Sequence, residues 1–224
     1  MIASNKPASD KKTALVCCET IRDEIILVLG TVDTSPDLYW IESGLHNSPE
    51  RLRSRLQETL DSLDGQFDRV LLAFGFCGNA IIGIETRGFE LIFPRVDDCI
   101  SLLLGSDDRR REIGETGTYF FTRGWLLGEE NMWNEYQFSV ETYGEEAAKM
   151  IYDSMLAHYS RLGILDTGAY DLSELEATTQ LMAETFELEH TVIPAGTAYI
   201  GDLLSGVWDP ARFVITPPHS TVTA

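Results

Sequence analysis

Short apolar runs alternating with amphipathic stretches constrain this chain more than any other feature. The clearest is Asp68–Phe74, where Val70 to Phe74 is continuously apolar. A run that short, with no polar alternation, reads as a strand buried on both faces. Further strands are expected at 13–18, 38–41, 90–93, 118–122, 163–166, 190–194 and 212–215. Between them lie helical stretches at 19–32, 49–63, around Cys99 to Leu103, 129–159 with a break near Gly144, 172–186 and 198–204. Ser48 and Pro49 supply a cap and first-turn residue for the second helix. The alternation predicts an α/β fold with a mostly parallel sheet and helices on both faces, Rossmann-like and three-layered.

The length of 224 residues suits a single α/β domain over 13–224, with 1–12 read as a disordered lead-in. That lead-in is polar and lacks the apolar core of a signal peptide, and no apolar run reaches membrane-spanning length. A cytoplasmic setting is therefore expected, in which thiols serve more often as ligands or nucleophiles than as disulfides. Net charge is −19, divided as −6 over residues 1–112 and −13 over 113–224. Such a surface repels nucleic acid and anionic membranes, so partners are expected among small molecules or proteins. Trp125, Trp133 and Tyr136 are read as exposed aromatics suited to partner docking.

The four cysteines are Cys17, Cys18, Cys77 and Cys99. Cys17 and Cys18 close the first expected strand, Cys77 and Cys99 follow later ones, and the carboxyl edge of an open α/β sheet is where ligands bind. Cys77 sits in Gly75-Phe76-Cys77-Gly78-Asn79, where Gly75 and Gly78 permit close approach of backbone to a ligand and unusual φ values, and Asn79 would cap a following helix. Cys18, Cys77 and Cys99 are candidate metal ligands, with His46 as a nitrogen donor suited to zinc. Adjacent strand residues face opposite sides, so one of Cys17 and Cys18 is expected to face the site, and Cys18 is nearer the strand exit. The opposing reading makes the cysteines small buried hydrophobes and His46 a loop residue. Glu19 and Asp97 are candidate proton carriers and Arg95 an anchor for an anionic substrate; for Asp97 and Asp98, helix capping competes with catalysis. Gly75, Gly78 and Asn79 complete the cofactor-binding expectation. His158, His190 and His219 show no pairing pattern, and no nucleotide or serine-hydrolase motif is present.

Taken together, several ordered strings resemble the DUF1638 family of bacteria and methanogenic archaea. They include Cys18-Glu19 with Arg22 and Glu24, Leu45-His46-Asn47, Gly75 to Asn79, Pro94-Arg95 through Cys99-Ile100, Asp166-Thr167-Gly168 and Gly206-Val207-Trp208-Asp209. The resemblance implies that the cysteines at 18, 77 and 99 recur. It also implies a setting near corrinoid-dependent methyltransferases, hence one-carbon or sulfur metabolism with a corrinoid or methyltransferase protein as partner. A histidine commonly stands where this chain has Asp97, which leaves position 97 open as a ligand or as a residue behind one. Three functions follow: a zinc-thiolate transferase, lyase or hydrolase; a [4Fe–4S] enzyme using the same thiols; or a non-enzymatic metal- or corrinoid-handling accessory.

Overall fold

A computed structural model describes residues 12–115 and 117–223, except the side chains of His46 and Asn47. The expected lead-in therefore lies outside the described residues, apart from Lys12. Among the described residues the strands are β1 (Thr13–Cys18), β2 (Asp37–Ile41), β3 (Arg69–Ala73), β4 (Glu90–Pro94), β5 (Thr118–Phe121), β6 (Arg161–Asp166), β7 (Glu189–Pro194) and β8 (Phe213–Thr216). The helices are α1 (Arg22–Leu29), α2 (Pro49–Ser62), α3 (Cys99–Leu104), α4 (Asp107–Gly114), α5 (Arg123–Leu127), α6 (Met132–Tyr143), α7 (Glu145–Met155), α8 (Ser173–Thr185) and α9 (Ala198–Ser205).

The architecture is α/β with mostly parallel pairing, and the strands fall into two sheets. The first has the order β2-β1-β3-β4-β8, parallel except for β8, which returns antiparallel to β4. The second is β5-β6-β7, parallel throughout. In the first sheet β3 is buried along its whole length, as its apolar run dictates. The chain steps from β1 outward to β2 and then back across β1 to β3. That reversal puts a topological switch point between β1 and β3, the place at which open α/β sheets bind ligands beyond their carboxyl ends.

The two sheets meet through specific contacts at their carboxyl ends. The Thr122 hydroxyl, just past β5, donates to the Thr20 carbonyl at 2.5 Å. Gly124 lies so close to this turn that a Cβ there would come within 2.6 Å of the Glu19 and Thr20 oxygens. Arg123 pairs with Asp23 on α1 at 3.1 Å. Phe120, Leu165 and Ile193 from the second sheet join the main core, while Phe121, Leu162 and Ile164 belong to a second apolar cluster with α6, α7 and α8.

Three local expectations need correction. The helix expected over 19–32 is a 3-10 turn at Glu19–Ile21 followed by the shorter α1. No helix starts at Asn79, because residues 77–79 all adopt positive φ and form a turn. Tyr136 is buried, and Trp133 stacks on it at 5.7 Å while meeting Phe186 edge-on. Trp125 stacks on Phe121 at 5.7 Å. Tyr136 is therefore part of a core, and Trp125 and Trp133 are half-buried against it rather than fully exposed.

Helix α2 begins as expected, with the Ser48 hydroxyl accepting from the Arg51 N–H at 3.4 Å and Pro49 at the first helical position. It buries Leu52, Leu56 and Leu60 against the first sheet. Replacing Ser48 by alanine orphans that N–H, and a loss of about 0.5–1 kcal/mol is expected in a urea melt. Among the described residues no helix is long and apolar enough to cross a membrane.

Candidate functional site

The candidate site is assembled by the ends of β1, β3 and β4. Cys17 and Cys18 close β1 with side chains on opposite faces. Cys17 lies with its Sγ 3.7 Å from the Tyr39 carbonyl, and burial pushes its thiol far above the ordinary range. Cys18 is fully buried; its thiol donates to the Thr20 hydroxyl at 3.0 Å and accepts the Thr20 N–H at 3.4 Å. Only Cys18 joins the other thiols.

Beyond β3, the chain from Gly75 to Cys77 lies along the segment that follows β4. The Phe76 N–H donates to the Val96 carbonyl at 2.8 Å, and the Cys77 N–H to the Asp97 carbonyl at 2.7 Å. Gly75 makes this approach possible, since a Cβ there would sit 2.7 Å from the Asp98 nitrogen and Val96 oxygen. Gly75→Ala must push the two segments apart, and a cost of about 1–3 kcal/mol is expected in chemical denaturation, as for other overpacked sites. A turn follows in which Cys77, Gly78 and Asn79 have φ of 46°, 66° and 67°. Glycine takes this geometry freely and asparagine tolerates it, whereas for cysteine it costs on the order of 1 kcal/mol. Arg53 of α2 steadies the turn by donating to the Asn79 carbonyl at 2.9 Å and the Ala80 carbonyl at 3.3 Å.

After β4, Asp98 caps α3 by accepting the Ser101 N–H at 2.7 Å, which sets Cys99 as the first helical residue. The Cys99 side chain is 4% exposed, and its thiol interacts with the thiols of both Cys18 and Cys77. Those interactions, with Cys18 first and Cys77 second, together with burial, hold the Cys99 thiol well above its ordinary range. Three sulfurs from three strand ends thus meet beside the switch point. Crowded, dry thiols keep their protons unless a cation replaces them, and a bound metal ion deprotonates a coordinating thiol outright. Among the described residues no group of three or more His, Cys, Asp or Glu side chains is placed so that it could hold a metal ion. The fit is therefore one of donor type and contact. Zinc–sulfur bonds of about 2.3 Å imply tetrahedral sulfur separations of about 3.8 Å, close to the reach of a thiol–thiol hydrogen bond.

The other expected site residues surround this cluster with less engagement. The His46 side chain lies outside the described residues, while its backbone forms part of the 3-10 turn Ser43–Asn47. Glu19 pairs with Arg22 at 3.5 Å and lines a cavity of about 520 Å³. That cavity is walled also by Glu42, Arg51, Arg55, Leu127 and Glu130, and Arg55 is held by Glu42 at 3.2 Å. Arg95 and Asp97 are exposed, and what fixes them is backbone: Arg95 N–H to the Arg212 carbonyl at 2.7 Å, Asp97 N–H to the Asp107 carboxylate at 2.8 Å. Asp98 serves as the cap and lies 3.4 Å from Arg110. A larger cavity of about 640 Å³ lies at the amino ends of β1 and β3, lined by Thr13, Asp37, Arg69 and Trp208. It is at the edge remote from the thiols, so size alone does not mark the candidate site.

One residue escaped the sequence reading. Glu24 on α1 is 0% exposed, and its Oε1 accepts the Thr167 hydroxyl at 2.8 Å across the junction of the two sheets. Its Oε2 is buried with no hydrogen-bond partner among the described residues. Burial lifts its carboxyl from the ordinary 4.5 to about 7, against the lowering effect of its own backbone and Thr167. The signal was present: Glu24 shares its helix face with Ile21, Ile25 and Val28, where a charge is out of place.

Fold and geometry together define a parallel α/β protein with a buried thiol cluster at the carboxyl edge of its main sheet. The chain belongs to the DUF1638 family, whose model, described as a protein of unknown function, matches residues 40–204. The matched span includes Cys77 and Cys99 and begins after Cys18. No curated protein and no solved structure matches the chain.

Proposed function

We propose that Cys18, Cys77 and Cys99 bind one metal ion, zinc, and that the protein is a metal-dependent enzyme of one-carbon or sulfur metabolism. The observation that carries this is the contact of the Cys99 thiol with both Cys18 and Cys77 at the switch point of the main sheet. Zinc on three thiolates keeps a fourth position for a substrate thiol or water and lowers its pKa toward neutrality. The chain supplies the rest. Strand β1 and the capped start of α3 hold two sulfurs from ordered elements, and the left-handed turn at Cys77 brings the third. Glu19, on the wall of the 520 Å³ cavity, is assigned to carrying a proton. Arg95 and Asp97 at the exposed rim are assigned to anchoring an anionic small molecule and to proton transfer, and His46 to the fourth ligand position. A corrinoid or methyltransferase protein is the proposed partner, on the strength of the family resemblance alone.

The same three thiols suit a [4Fe–4S] cluster with one open iron, and one experiment separates the readings. Protein purified without oxygen is assayed for zinc, iron and acid-labile sulfide alongside its optical spectrum. About one zinc per chain and no visible absorption is expected. Iron with sulfide moves the assignment to a cluster enzyme. A folded protein holding neither contradicts both and leaves a binding module.

A further inference from the structure

We propose that Cys77 and Cys99 form a reversible disulfide on exposure to peroxide, so that the thiol cluster is a redox switch. The inference goes beyond metal binding and requires only thiol contact. Cys99 is the central sulfur, interacting with Cys18 on one side and Cys77 on the other. Two features select Cys77 as its partner.

The first is mobility of the sulfur's own anchor. Cys18 is the terminal residue of β1, registered opposite Ile41 of β2, and any shift of its Cα breaks a parallel ladder. Cys77 stands outside strand and helix, in the left-handed turn, where a non-glycine residue gains by relaxing. The second is access. Cys77 is 9% exposed, against 4% for Cys99 and 0% for Cys18, so it is the least buried of the three residues. The hydrogen bonds from Phe76 and Cys77 to Val96 and Asp97 keep the two backbone segments side by side, as a disulfide requires.

The steps balance. The Cys77 sulfur attacks hydrogen peroxide, breaking the O–O bond and giving a sulfenic acid and one water. The Cys99 sulfur then attacks the sulfenic sulfur; its proton leaves with the hydroxyl as a second water, and the S–S bond forms. Two thiols are oxidised by two electrons in all, and one peroxide is reduced. Cys17, across the sheet and bonded to backbone carbonyls, stays a thiol throughout.

The test uses the full chain, purified without oxygen and analysed for metal, then treated with hydrogen peroxide with and without a chelator. Remaining thiols are alkylated and tryptic peptides mapped without reduction. Arg87 and Arg95 fall between the two cysteines, so trypsin separates them unless they are cross-linked. The expected result is loss of two of the four thiols, a Cys77–Cys99 linked peptide, and full recovery with dithiothreitol. Cys17→Ser leaves the link unchanged and Cys77→Ser abolishes it. Four intact thiols, isolated sulfinic acids, or a link through Cys18 in both arms overturns the proposal. A metal-free protein that links supports the switch while contradicting the metal site. A metal-loaded protein that fails to link even after chelation does the reverse.

Discussion

Cys99→Ser is expected to abolish metal binding while leaving the fold intact. The change removes the sulfur that touches both other thiols, so the loss should exceed the roughly 10–100-fold that residues behind a ligand cost. Its effect on stability is expected to be small, about 1 kcal/mol, because serine fills nearly the same volume at a helix start already capped by Asp98. Cys17→Ser provides the contrast: a buried cysteine on the same strand, facing away, whose loss should leave metal content unchanged. Metal analysis of the two variants beside the wild type makes the comparison. Equal metal content in all three would remove the thiol cluster from the account.

The second large effect is expected at Glu24. Its carboxyl is at about 7 in the folded chain against 4.5 in the open one. The native state therefore binds more protons between those values, and stability falls as pH rises through that window. Below pH 4.5 the contribution is fully present; above about 7 it is gone. The shift corresponds to about 3 kcal/mol. Glu24→Gln carries no titrating group, so the difference between wild-type and variant unfolding free energies should change by about that amount from pH 4.5 to pH 7.5. Urea melts at a series of pH values measure it. A difference that stays flat over this range would show that Glu24 is not a buried acid. The choice of glutamine matters, since its amide leaves one polar group unpaired beside Thr167, and the slope with pH is the diagnostic rather than the absolute stability.

Much of this was legible in the sequence because strands and strand ends are local features. The run Val70 to Phe74 announced a doubly buried strand, and the glycines around Cys77 announced an unusual backbone, which Gly78 adopts with φ of 66°, while the close approach of Gly75 is to the Val96–Asp98 backbone. Alternation of side chains limited the cluster to one of Cys17 and Cys18, and nearness to the strand exit pointed to Cys18. What was not legible depends on long-range partners. Nothing local tells β5 to pair with β6 and open a second sheet, or β8 to return antiparallel beside β4. Asn79 looks like a helix cap by residue type, yet three successive positive φ angles make it part of a turn. Trp133 and Tyr136 resemble a docking face until Phe186 and Tyr152, distant in sequence, close over them. Glu24 was legible and overlooked, as a carboxyl on the buried face of a helix.

The central claim is that three sulfurs from three strand ends hold one metal ion. X-ray absorption at the edge of the bound metal tests it most directly, on protein purified without oxygen. For zinc, about three sulfur scatterers near 2.3 Å with one lighter atom are expected, falling to two sulfurs or to no metal in Cys77→Ser. A first shell of nitrogen and oxygen alone, unchanged by the substitution, would contradict the claim.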